Sequence, residues 1–151
     1  MIKNGKGIVV GGGRNLRSMT YLDNLCQACL LVENSGTAPG QTYWIADRRA
    51  YTMNEVVDTV ERLLEQEFHI PVAHRRVRLP SFLSEVAFLA DQVVQGTGLY
   101  HSKVHVLSEM NKTIACSIRK AERELGYSPT VELEEGMRRS IQWCLGNGIR
   151  I

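Results

Sequence analysis

Cys26 and Cys29 have the C-x-x-C spacing of a redox dithiol. In a thioredoxin-like site such a pair sits at a helix N-terminus, whose positive end lowers the thiol pKa. Here the two cysteines lie inside an apolar run with Leu25, Ala28, Leu30 and Leu31, so the pattern assigns both to a buried helix face as small apolar residues. His101 and His105 are four apart, a spacing that presents two imidazoles on one helical face as zinc ligands. No Glu follows His101, and neither His74 nor Cys116 stands where it would complete a set, so no metal site is expected. Gly11-Gly12-Gly13 could cradle a phosphate only with a strand before it and a helix opening directly after it. The following residues read as extended, so the triplet is expected to be a tight turn. No G-x-G-x-x-G and no P-loop pattern occurs, and no Ser/His/Asp arrangement stands out. Arg17 is the one charged residue that reads as placed. It leads into a helix start at Asp23-Asn24, where a guanidinium and helix N–H groups could together hold an anion.

The elements that must carry these residues follow from periodicity and turn chemistry. Ile8-Val9-Val10 and Arg17–Leu22 read as short extended runs on either side of the glycine turn. A helix follows, capped by Asp23 or Asn24, with Leu25, Ala28, Cys29 and Val32 on one face, and Asn34-Ser35-Gly36 ends it. Ala38–Gln41 is loop, and Thr42–Ala46, aromatic and nearly continuously apolar, reads as a strand buried on both faces. Thr52 and Glu55 form a capping box for a helix with Met53, Val56, Val57, Val60, Leu63 and Leu64 at helical spacing. Val72–Leu79 reads as a weak strand. Leu79-Pro80 opens a helix that is apolar round much of its circumference and ends at Gly96-Thr97-Gly98. Ser117–Leu125 is a short helix ended by Gly126 in the left-handed conformation, with Pro129 beyond it. Glu132–Leu145 is the last helix, with acidic residues at its positive end.

Composition narrows the function classes. The chain has 151 residues, 44% of them apolar and 23% charged, with a net charge of +2. That is globular composition with no basic surplus for nucleic acid or an anionic membrane. Arg75, Arg76 and Arg78 lack interleaved aromatics and read as a solvated strand edge. No run is long enough for a secretion signal or a membrane span. A cytoplasmic protein with four reduced cysteines is therefore expected. With no repeat and no linker composition, residues 1–151 read as one domain.

Four motifs in register carry a resemblance to a family. They are Gly11-x-Gly13-x-x-x-Arg17-Ser18-x-x-Tyr21-x-Asp23-Asn24-Leu25-x-x-Ala28, Pro39-Gly40-Gln41-x-Tyr43-x-Ile45 followed by Thr52-x-x-Glu55, Lys120-Ala121-x-x-x-Leu125-Gly126-Tyr127-x-Pro129, and Glu135-Gly136-Met137-x-x-Ser140-Ile141-x-Trp143. Together they resemble the C-terminal, substrate-binding half of extended short-chain dehydrogenases/reductases. That family includes NAD-dependent epimerases and dehydratases and sterol dehydrogenases. The resemblance implies an α/β fold, a truncated Rossmann-type C-terminal portion with few strands and about four helices. It implies a small-molecule substrate, with Arg17, Met19 and Met53 as substrate-binding residues and Arg17 on the diphosphate of the sugar-nucleotide members.

The resemblance also implies an absence. The family's glycine-rich dinucleotide turn and its Tyr-x-x-x-Lys pair belong ahead of this region, and every Tyr here fails the pattern, as in Tyr21-x-x-x-Leu25 and Tyr43-x-x-x-Asp47. No catalytic residue and no bound cofactor are expected of this chain, although the full-length family uses NAD or NADP. The chain alone is expected to be inactive, with a homo-oligomer or a missing N-terminal cofactor-binding half as its partner. A stand-alone ligand-binding or oligomeric interaction module derived from the family is the alternative. Leu107 and Met110 stand where sugar-nucleotide members carry Arg-x-x-Asp, and Pro80–Gln95 is long and apolar; both favour a less polar substrate, as in the sterol-dehydrogenase-like branch.

Overall fold

The structure is a computed structural model that describes residues 7–96, 109 and 111–149. His101, His105 and Leu107 lie outside the described residues, as does Met110. The chain divides into two compact units, one of residues up to Leu16 and Thr52–Thr113, the other of Arg17–Tyr51 and residues from Ile114 on. Each unit is assembled from separated segments, so no linker composition marks the division.

In the first unit, β1 (Gly7–Val10) pairs in parallel with β4 (Arg76–Leu79), in the register Gly7 with Arg76 and Val10 with Leu79. Parallel pairing requires a crossover of a dozen residues or more, and α2 (Met53–Gln66), which packs against β1, lies within it. Gly11-Gly12-Gly13 is the expected turn. Gly11 and Gly13 have φ of 65° and 66°, a region open to glycine without steric cost. The Asn54 side chain donates to the Gly12 carbonyl at 2.9 Å, and a Cβ on Gly13 would collide with Asn54. The triplet is therefore held as a turn against the first turn of α2.

The capping box forms as expected: Glu55 N–H donates to Thr52 Oγ1 at 3.1 Å, and Thr52 N–H donates to Glu55 Oε2 at 2.7 Å. It seats α2 so that Val57, Leu63 and Leu64 are buried. Thr52→Ala is expected to cost about 0.5–2 kcal/mol, read from the urea midpoint, with Thr52→Ser recovering most of the loss. In α3 (Ser81–Gly96), Phe82, Val86 and Leu89 are exposed.

The second unit holds β2's Arg17 (β2 is Leu16–Arg17), Tyr51 of β3 (Tyr51–Thr52) and three helices: α1 (Leu22–Glu33), α4 (Arg119–Leu125) and α5 (Leu133–Gly146). Its core joins Ala28 of α1 to Ala38, Ala46, Ile118, Ala121, Leu125 and Tyr127. Gly126, at φ 67°, ends α4 as the sequence indicates.

Three expectations are corrected here. Thr42–Ala46 is extended but not a strand. A strand needs a neighbouring ladder, and this segment is held by isolated bonds instead. Thr20 Oγ1 donates to the Ile45 carbonyl at 2.9 Å, and Asp47 N–H donates to the Met19 carbonyl at 2.7 Å. Trp44 is 67% exposed, so the segment is not buried on both faces. The helix begins earlier than Asp23-Asn24: Tyr21 is its N-cap, and Asn24 is turned inward. Cys26 and Cys29 are both exposed, because Asn24 and Ala28 define the buried side of α1 and the two thiols fall on the opposite side.

Candidate functional site

The candidate site lies within the second unit, at the start of α1. Leu25 N–H donates to the Tyr21 carbonyl at 3.1 Å, setting the first turn. That turn directs Asn24 into the core, 1% exposed. Its Nδ2 donates to the Val131 carbonyl at 2.6 Å, and its Oδ1 accepts from Thr130 and Val131 N–H at 3.1 and 3.2 Å. One amide thus binds both donor and acceptor groups of the loop that leads into α5. Next to it is Asp47, 4% exposed, with Oδ1 3.5 Å from Asn24 Nδ2. Tyr51, 1% exposed, accepts from Leu133 N–H at 3.3 Å and hydrogen-bonds Asp47.

A cavity of about 80 Å³ opens against this network, lined by Met19, Thr20, Tyr21, Asp47, Glu132, Leu133, Gly136, Met137 and Ser140. Gly136 allows the close approach. A Cβ there would lie 3.2 Å from the Tyr21 ring, tight enough to push the ring aside. The lining combines two acidic residues, the hydroxyl-bearing Thr20, Tyr21 and Ser140, and the methionines Met19 and Met137. Thr20 Oγ1 and Ser140 Oγ donate to the Ile45 and Gly136 carbonyls at 2.9 and 2.7 Å, which leaves their oxygens to accept from a neutral hydroxyl-bearing group. A phosphate there would face Asp47 and Glu132 at short range, where like charges repel.

Burial raises the Asp47 carboxyl above the ordinary carboxylate range; the bond from Tyr51 and that from Asn24 oppose the shift, and Glu132 adds to it. Burial also raises both inner phenols to about 12, with Asp47 nearby reinforcing the effect on Tyr51 and Tyr127. A phenol whose folded pKa is raised favours the folded state fully below its unfolded pKa near 10. That contribution declines as pH rises from about 10 to about 12. Alkaline titration of the chain by circular dichroism is expected to show loss of structure in that window. Tyr127→Phe should make the decline shallower, although it removes the phenol's 3.0 Å bond to the Ala46 carbonyl.

Met19, expected to contact the substrate, lines the cavity. Arg17 is half-buried on β2, bridges in parallel to Ile114, and is not among the residues lining this cavity. Met53 belongs to the other unit as the first residue of α2. Asp47, Tyr51 and Glu132 were not singled out from the sequence. Asp47 closes an apolar run, and Glu132 reads as an ordinary acidic residue at a helix start. Only the burial of Asp47 distinguishes it. Among the described residues no group of three or more His, Cys, Asp or Glu side chains could hold a metal, and no helix is long and apolar enough to cross a membrane.

No family model matches the chain. Among curated proteins, an uncharacterized protein, y4nL, of Sinorhizobium fredii is 48% identical over 98% of this chain and 42% of its own length. The 3beta-hydroxysteroid-dehydrogenase/decarboxylase isoform 1 of Arabidopsis thaliana is 29% identical over 88% of this chain and 32% of its own. The dTDP-glucose 4,6-dehydratase of Neisseria gonorrhoeae is 26% identical over 94% and 35%. The chain thus spans from just under a third to somewhat over two-fifths of the length of these relatives. Among solved structures, the dTDP-glucose 4,6-dehydratase of Bacillus anthracis in complex with NAD superposes with a TM-score of 0.61 at 20% identity, over 95% of this chain and 36% of that one. The UDP-glucose 4-epimerase of Thermotoga maritima with UDP-glucose gives 0.60 at 20% identity, over 94% and 35%. These likenesses show a Rossmann-type epimerase/dehydratase fold, of which the α/β arrangement here is a truncated portion.

Proposed function

From its membership of the extended short-chain dehydrogenase/reductase family of NAD-dependent epimerases and dehydratases, which its relatives and structural neighbours share, we propose that this chain is a substrate-binding half that does no chemistry alone. The observation that carries the reading is the cavity at the start of α1. It joins Met19, expected at the substrate, to two acidic and three hydroxyl-bearing residues in one small recess. The substrate is of the less polar, hydroxyl-bearing kind, because the acidic wall repels a diphosphate. The sterol-acting relative supports that choice. Arg17 and Met53 remain proposed substrate contacts in this reading.

The hydride donor and the tyrosine–lysine pair are supplied by an N-terminal cofactor-binding half; the alternative partner is a second copy of this chain. An exposed stripe on α3 supports a partner of either kind: Phe82, Val86 and Leu89 are 58%, 58% and 62% exposed. At spacings of four and three residues they form one apolar ridge.

The test is a fluorescence titration with a 3β-hydroxysteroid and, in parallel, with dTDP-glucose. Saturable binding of the steroid, weakened roughly 5- to 150-fold by Met19→Ala through loss of a buried thioether (about 1–3 kcal/mol), supports the reading. Binding of dTDP-glucose alone, unaffected at Met19 but lost in Arg17→Ala, would replace it with the diphosphate reading. In that case Arg17→Ala is expected to lose about 1.5–3 kcal/mol, the scale of a charge-assisted bond.

A further inference from the structure

The pair Cys26 and Cys29 is left unused by the substrate site, and its exposure is the reverse of what its apolar sequence context suggests. Both thiols are open on the outer face of a regular helix, Leu22–Glu33. Residues three apart on a helix have Cβ atoms about 5–6 Å from each other. A disulfide needs its Cβ atoms about 3.5–4.5 Å apart, so direct closure would distort α1. A single atom inserted between the sulfurs spans the longer gap without that distortion.

The surroundings decide which atom. A tetrahedral divalent metal needs four ligands, and no group of three or more suitable side chains is assembled among the described residues. A two-thiol electrophile needs no third protein ligand. The neighbouring surface carries exposed leucines, Leu22, Leu25 and Leu30 at 66%, 44% and 59%, beside the carboxylates of Asp23 and Glu33, and α1 has no Lys or Arg. The leucines give the organic group of such an electrophile an apolar seat.

We propose that Cys26 and Cys29 form a two-thiol site for trivalent arsenicals, the class of soft electrophile that carries two exchangeable oxygens on one arsenic atom. In the reaction of the hydrated form, R–As(OH)2, which phenylarsine oxide gives in water, two S–H bonds and two As–O bonds break, two As–S bonds and two O–H bonds form, and two water molecules leave. Arsenic stays trivalent, so no oxidant or reductant takes part. The organic group of the arsenical rests on the leucines beside the thiols.

The test uses the reduced, folded chain and phenylarsine oxide, read by intact-mass spectrometry under native conditions. The expected result is one adduct per chain that survives excess monothiol and is removed by 2,3-dimercaptopropanol. Cys26→Ser and Cys29→Ser should each abolish the adduct. Both are surface changes that keep α1 intact, as circular dichroism would verify. The double variant Cys116→Ser/Cys144→Ser should keep it. An adduct that persists in either single variant, one lost in the Cys116/Cys144 variant, or no dithiol-reversible adduct on the unaltered chain would overturn the proposal.

Discussion

Arg76→Ala is expected to lower the stability of the chain by about 3–5 kcal/mol, the range for removing one partner of a buried ion pair. The Arg76 side chain is 18% exposed and forms a short contact with Glu61, whose side chain is 6% exposed; it also reaches Asp58 at 2.5 Å. These carboxylates hold the guanidinium more firmly protonated than usual. Truncation leaves the Glu61 charge out of water, with His74 Nδ1 at 3.6 Å its remaining ion-pair neighbour among the described residues. The double change Arg76→Met/Glu61→Leu should recover most of the loss, since replacing both charges by apolar groups leaves nothing uncompensated. The measurement is the urea midpoint of each variant. A loss below about 1 kcal/mol, the scale of exposed pairs, would mean that Arg76 does no more than a surface residue. The partly exposed bond between His74 and Glu65, 2.7 Å, belongs to that weaker class.

Asn24→Ala should be comparably damaging to the other unit. It leaves the Thr130 and Val131 N–H groups and the Val131 carbonyl without the bonds they now make to Asn24. Each unsatisfied buried group costs about 1–3 kcal/mol, and relaxation of the loop recovers part of the sum, so about 3–5 kcal/mol is expected from chemical denaturation. Asn24→Asp separates this account from simple loss of volume. The new carboxylate would lie beside Asp47 and face the Val131 carbonyl, so its folded pKa must be raised. A raised carboxyl favours the fold fully below its unfolded pKa and loses that contribution as pH rises. Asn24→Asp should therefore be severe at neutral pH and milder near pH 4. A penalty independent of pH would contradict the role given to the Asn24 amide.

Local chemistry was legible where a few neighbouring residues decide the outcome. The capping box of Thr52 and Glu55, the left-handed stop at Gly126 and the glycine turn at Gly11–Gly13 are fixed within a few residues of chain. The α/β class and the likeness to epimerase/dehydratase relatives were legible because four motifs keep their register along the chain. Thr42–Ala46 was misread because β-propensity describes a side-chain surface, while a strand also needs a hydrogen-bonded neighbour. The cysteines were misread because an apolar helix such as α1 does not state which of its faces is covered. Asn24 was read as a cap because Asn is common there. Its actual partners, Thr130 and Val131, are more than a hundred residues away, and no local pattern records them. The carboxyl groups of the cavity were overlooked for the same reason. Asp47 and Glu132 come from distant segments and meet only in the folded unit.

The central claim, a substrate-binding half without a cofactor site of its own, is tested most directly by calorimetric titration of the folded, reduced chain with NAD and with NADP. The account predicts no saturable heat for either cofactor, because the glycine turn at Gly11–Gly13 is closed against Asn54 and no strand–turn–helix cradle follows it. Saturable binding of either cofactor in the micromolar range would contradict it.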